Sequence, residues 1–172
     1  MNGWVRILGI DPGSRRTGYG VIDTDGQQSR YVASGVLEVH RLARSAAPAD
    51  RLRAIFSGVS ELVECYAPHE MAVEQVFVAR NPDSALKLGQ ARAAAICATF
   101  ATNIVVSDYA AREVKLAVVG KGGATKDQVQ HMVGVLLCLR EKLAEDAADA
   151  LGIALCHAHS RAAKTRLEEA GA

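Results

Sequence analysis

The sequence predicts an α/β domain: a five-stranded mixed sheet with helices on both faces. Two observations carry that expectation. The first strand candidates are linked by short turns and pair as antiparallel hairpins, whereas the later ones are separated by helix-length stretches and must cross over into parallel pairing. Short β-branched apolar runs also alternate with stripes of helical period along the chain. No repeat and no shift of composition divides the 172 residues, so one domain is expected over 1–159, followed by a polar, frayed tail at 160–172.

The first strand is Val5 to Asp11, an apolar run stopped by Pro12-Gly13. Thr17 to Asp23 and Arg30 to Val39 form a hairpin around Asp25-Gly26, and Gly18 and Gly20 point to a bulge or a close backbone approach. Leu42 to Ala49 is a connector. Leu52, Ile55, Phe56, Val59, Leu62 and Val63 then recur on one face of a helix that stops before Pro68. Met71 to Val78 is the fourth strand. Asn81-Pro82 caps a helix running to about Phe100, with Ala85, Gly89 and Ala93 in a row of small side chains that permits close approach, either to the chain's own core or to a second copy. Asn103 to Ser107 is the fifth strand, and Tyr109 to Val119 a short helix. Thr125 with Gln128 is a capping box for the next helix, and Asp146 to His159 is the last.

Bulk properties exclude little. The chain is 49% apolar and 23% charged, with a net charge of +1, which is an ordinary globular balance. Between Arg80 and Lys126, seven basic residues stand against three acids, a local basic surface of the kind phosphate contact needs. Cys65, Cys97, Cys138 and Cys156 are far apart in apolar helical patterns and are expected to be buried free thiols. MNGWVRIL lacks the apolar core of a signal peptide, and no stretch reaches the ~20 residues of a membrane span, so a cytoplasmic protein without membrane contact is expected.

Four acids stand in apolar surroundings. Asp11 ends the first strand, in a tripeptide that is also a strong turn initiator. Glu74 lies inside MAVEQVFV, and Asp146 and Asp149 share one face at a helix start, where acids also suit the dipole. A buried carboxylate must be paired, hydrated or metal-bound. Four oxygen donors without His or Cys spacing suit Mg²⁺, with Mn²⁺ as a substitute and two ions per site, and such a pair supports phosphodiester hydrolysis. Lys115 and Lys126 flank the glycine loop, and Lys126 opposes its helix dipole, so it is expected to serve phosphate. Phe77, just before Arg80, is a candidate stacking aromatic, although such a residue taken alone is more often core. Gly120-Lys121-Gly122 lacks the spacing of a Walker loop. Cys156, His157 and His159 are too close on one helix to share a zinc-binding face.

The blocks LGIDPGSRRTGYGVI, VEQVFVARNPDSALKLGQARAAA, YAAREVK, VVGKGGATKDQVQHMV and DAADALGIAL resemble the RuvC family of crossover-junction endodeoxyribonucleases, in the family's order. The resemblance implies a ribonuclease H-like fold and a homodimer. It implies an enzyme that resolves Holliday junctions, four-way DNA junctions met in recombination and repair, by symmetric Mg²⁺- or Mn²⁺-dependent nicks with 5′-phosphate and 3′-hydroxyl ends. By position it makes Asp11, Glu74, Asp146 and Asp149 the catalytic, metal-binding acids. It also makes Lys115 and Lys126 basic residues of the active site that meet DNA, Phe77 the junction-inserting aromatic, the helix from Pro82 the dimerisation helix, and RuvA and RuvB the partners; Arg80, from the basic segment, is a further candidate DNA contact. LREKLAE at 139–145 stands where many members carry a Pro-containing loop. An actin-like ATPase shares the Asp-Gly opening, but a second phosphate loop is missing, and a junction binder without catalysis would not need four acids.

Overall fold

The computed structural model describes residues 3–45, 47–76 and 81–171. Its elements are β1 (Val5–Asp11), β2 (Thr17–Thr24), β3 (Ser29–Leu37), α1 (Val39–Leu42), α2 (Pro48–Tyr66), β4 (Glu70–Glu74), α3 (Pro82–Cys97), β5 (Val105–Tyr109), α4 (Ala111–Val119), α5 (Lys126–Leu136) and α6 (Glu145–Glu169). The five strands form one sheet in the order β3-β2-β1-β4-β5. β1, β2 and β3 pair antiparallel, while β4 and β5 join β1 in parallel, as the linker lengths require.

Strand alternation divides the core in two. Ile7, Ile22 and Ala72 face α6, which α4 and α5 cover from outside. Leu8, Ile10, Val21, Met71 and Val73 face α2 and α3. Because α6 lies between the sheet and two helices, it is buried almost all round from Ala147 to Ala158, unlike a one-faced surface helix. It reaches the sheet at backbone distance. A Cβ on Gly9 would stand 2.2 Å from the Ala150 carbonyl oxygen, and one on Gly18 2.0 Å from that of Asp146. The glycines of β2 therefore serve close approach, while the register irregularity between β2 and β3 falls at Val21/Ile22.

The turn chemistry follows the sequence. Asp25 Oδ1 accepts from the Gln27 and Gln28 amides at 2.9 and 2.8 Å, and Gly26 takes φ 90°. Asn81 caps α3 and Thr125 with Gln128 boxes the start of α5.

Several boundaries differ from expectation. β3 ends at Leu37, and Val39 instead turns into the buried start of α1. β5 begins two residues later than expected and extends to Tyr109, because its parallel ladder with β4 continues to the Glu74–Tyr109 pair. α2 begins at Pro48, and Phe56, expected on its buried stripe, is 44% exposed. The segment expected to fray beyond His159 is helical, since α6 continues to Glu169. Of the cysteines, Cys156 is buried, but Cys65, Cys97 and Cys138 are exposed, and all four are free. Cys97 and Cys138 lie at or just past helix ends rather than in packed turns, Cys138 at φ 53°. No helix among the described residues is long and apolar enough to cross a membrane.

Candidate active site

β1 and β4 end side by side. Their parallel register pairs Ile10 with Val73, and one further step sets Asp11 beside Glu74. Alternation turns both carboxylates toward α6, on the side of Ile7 and Ala72. The start of α6 carries Asp146 in its first turn and Asp149 just beyond it, held down by the contact between the Asp146 backbone and Gly18. Two acids from strand ends thus meet two from a helix start.

Asp11, Glu74 and Asp149 line a cavity of about 250 Å³ together with Lys115 of α4 and Lys126 of α5, over a floor that includes Val114, Val129 and Ile153. A larger groove of about 590 Å³ runs from α5 to residues 139–143. Charge chemistry, rather than volume, selects the smaller one. Burial, then the charges of Glu74, Asp149 and Asp146, push Asp11 up to about 7, against the pull of Lys126. Glu74 is raised first by burial and then by Asp149, a rise eased by Lys126, by the adjacent Asp11 carboxyl and by Lys115. Asp149 is raised by burial, and Lys126 opposes that shift.

Lys126 Nζ stands 2.8 Å from Glu145 Oε1 and 3.3 Å from Asp149 Oδ2. Chiefly through Glu145, its pKa lies above the ordinary lysine range. The lysine expected to serve phosphate is thus tied to two acids at the start of α6. Asp146 lies just outside the cavity lining, its Oδ2 3.0 Å from Arg16 Nε. Phe77 and Arg80 lie outside the described residues.

The structure adds residues the sequence did not single out. Glu145 was legible as a third acid in EDAAD; Arg16 had no signal beyond its place in the loop after Asp11. Behind the site, His157 is buried, its Nε2 donating to Glu70 Oε2 at 2.6 Å and its Nδ1 accepting from the Tyr109 hydroxyl at 2.8 Å. Arg161 Nε also donates to Glu70, at 2.8 Å. Burial raises Glu70, but its bonds to His157 and Arg161 outweigh this and hold it below the usual range.

The donor set fits a hard divalent cation. All four candidates are oxygen ligands, and three crowd one cavity where their mutual repulsion calls for positive charge. Among the described residues, no group of three or more His, Cys, Asp or Glu side chains stands close enough together to hold a metal ion, so the fit rests on the donor chemistry.

Residues 7–157 match the family model described as crossover junction endodeoxyribonuclease RuvC. The chain is 57% identical over 155 residues to the protein of that name from Idiomarina loihiensis, covering 90% of this chain and 87% of that one. It is 55% identical to the one from Xanthomonas campestris pv. campestris, covering 94% and 92%. Thermus thermophilus RuvC in complex with a Holliday junction substrate superposes with a TM-score of 0.85 at 32% identity, covering 94% of this chain and 97% of that one. The yeast mitochondrial Holliday junction resolvase Ydc2 shares the fold, with a TM-score of 0.68 at 14% identity. The chain, with its ribonuclease H-like sheet, belongs to the RuvC family of crossover junction endodeoxyribonucleases.

Proposed function

We infer that this protein is an endonuclease that resolves Holliday junctions, cutting DNA at the carboxylate cluster where β1 and β4 meet α6. The observation that carries the reading is the cavity in which Asp11, Glu74 and Asp149 face Lys115 and Lys126, in a chain that matches a junction-bound relative over nearly its whole length. We propose Asp11, Glu74, Asp146 and Asp149 as the ligands of two Mg²⁺ ions, which Mn²⁺ can replace. Bound there, the ions would lower the pKa of water and offset the charge that develops on the leaving oxygen.

The protein's own groups do the rest. The raised proton affinities of Asp11 and Glu74 keep them ready to exchange protons for cations. Lys115 and Lys126 line the same cavity from α4 and α5 and would hold the scissile phosphate. Phe77 and Arg80 are proposed DNA contacts on sequence grounds alone. Breaking the bond from phosphorus to the 3′ oxygen leaves a 5′-phosphate and a 3′-hydroxyl.

We further propose a homodimer through α3. Its row of small residues turns from the core: Ala93 is exposed and nothing lies within 4 Å of a Cβ placed on Gly89. Leu86 and Leu88, on the same helix, and Phe100, just past its end, are exposed as well. A two-fold pair would supply one site for each of two opposed strands. RuvA and RuvB are the partners proposed for this cytoplasmic enzyme.

The test is nicking of a mobile four-way junction beside linear duplex, with Mg²⁺ or with EDTA. Paired nicks on the junction alone, dependent on metal, are expected. Glu74→Gln should abolish cutting and leave junction binding intact; a Glu74→Gln enzyme that cuts normally would refute the assignment.

A further inference from the structure

We propose that Arg16 competes with the divalent cation for Asp146: its guanidinium pairs with this carboxylate, and cation entry displaces it onto Glu38. The proposal rests on the reading of Asp146 as a metal ligand.

The backbone of Asp146 lies directly against β2 and can come no closer to the sheet, because a Cβ on Gly18 would lie 2.0 Å from its carbonyl oxygen. Access to its carboxylate is therefore decided by side chains. Asp146 Oδ2 is enclosed and accepts no well-aligned hydrogen bond, yet Arg16 Nε stands 3.0 Å away. The contact is one of charge without the fork-to-carboxylate alignment that makes arginine pairs strong. The two side chains are 48% and 28% exposed, so the pair is weak and exchangeable.

A second acceptor is already in place. Glu38 Oε1 stands 3.7 Å from the same Nε. Its other oxygen lies 3.3 Å from His40 Nδ1, and the backbone amide of His40 donates to the carbonyl of Arg15 at 3.2 Å. The β1–β2 loop and the start of α1 are thus fastened together, with Arg16 suspended between an acid of the site and an acid outside it. A divalent ion offers Asp146 twice the charge of a guanidinium, and Glu38 spares Arg16 from being left unpaired. The same geometry accounts for Asp146 lying beyond the cavity that the other three acids line.

The experiment titrates Mn²⁺ into the full-length protein by calorimetry, without DNA, for wild type, Arg16→Gln and Arg15→Gln. Each is also melted in EDTA. Arg15 adjoins Arg16 on the same loop and controls for the loss of one positive charge. Arg16→Gln is expected to tighten Mn²⁺ binding about two- to fivefold and to lower the melting temperature in EDTA, with Arg15→Gln changing neither. Unchanged or weaker binding by Arg16→Gln, or an equal gain in Arg15→Gln, overturns the proposal while leaving the metal site standing. A wild-type protein that takes up no Mn²⁺ overturns both.

Discussion

Replacing Asp11 by Asn should stabilise the protein in EDTA at neutral pH, and the gain should vanish in acid. Asp11 is pushed from 3.8 to about 7, first by burial and then by three neighbouring acids. Its folded pKa lies above its unfolded one, so the fold favours the protonated carboxyl. Wild-type stability therefore declines as pH rises from about 4 to about 7 and levels off beyond. A rise of about 3 units corresponds to ~4 kcal/mol as a ceiling. The acids titrate as a coupled set, which we take to halve it to ~2 kcal/mol. Asparagine keeps the shape and carries no charge. For a chain of this length the gain is ~4–8 °C in melting temperature near pH 8 and close to zero near pH 4. The assay is calorimetric melting across that range in EDTA, repeated with Mg²⁺, where the order should invert because the wild type gains ligand stabilisation that the Asp11→Asn variant forgoes. An Asp11→Asn protein that is no more stable near pH 8, or a gap that does not change with pH, would refute the electrostatic account of the cluster.

Gly18→Ala should cost ~2–3 kcal/mol and weaken Mn²⁺ binding together, because its methyl would displace the backbone that carries Asp146; melting and metal titration of the one variant check both. Gly89→Arg should leave the melting temperature within about 2 °C, since nothing lies within 4 Å of the new Cβ, yet give a monomer in light scattering and single rather than paired nicks. A dimeric Gly89→Arg protein would remove α3 from the proposed interface.

What the sequence made legible were features encoded locally. The apolar run of β1, the Asp25-Gly26 turn, the Asn81 and Thr125 caps and the glycines of β2 each carry their signal within a few residues, and each appears in the structure. The pairing of Asp11 with Glu74 needed only the inference that β1 and β4 run parallel. What stayed hidden depends on distant residues. Glu70 and His157 are 87 positions apart, and nothing near His157 announces an acid on the sheet face that α6 covers. The extent of β5 was missed because Tyr109 reads as the opening of a helix until β4 supplies its ladder. The cysteine reading failed for a related reason: periodicity places a residue on a helix face, but three of the four lie at or near helix ends, where the face is open to solvent.

The cluster itself shows how such a site coexists with folding. Three acids around one cavity would oppose the collapse of α6 onto the sheet, yet that collapse also positions them. The structure offsets the repulsion from both flanks: Lys126 reaches across from α5 to Glu145 and Asp149, and Arg16 reaches from the β1–β2 loop to Asp146. Asp11 and Glu74 sit deepest and have no such partner within the ion pairs of the described residues, and burial first, then the charges of the neighbouring acids, raise their proton affinity. A cation entering the cavity would relieve the strongest remaining repulsion first. The two acids on the strand ends are accordingly the ones whose neutralisation should change metal affinity most, and Asp149, already paired with Lys126, the one whose loss should be felt less.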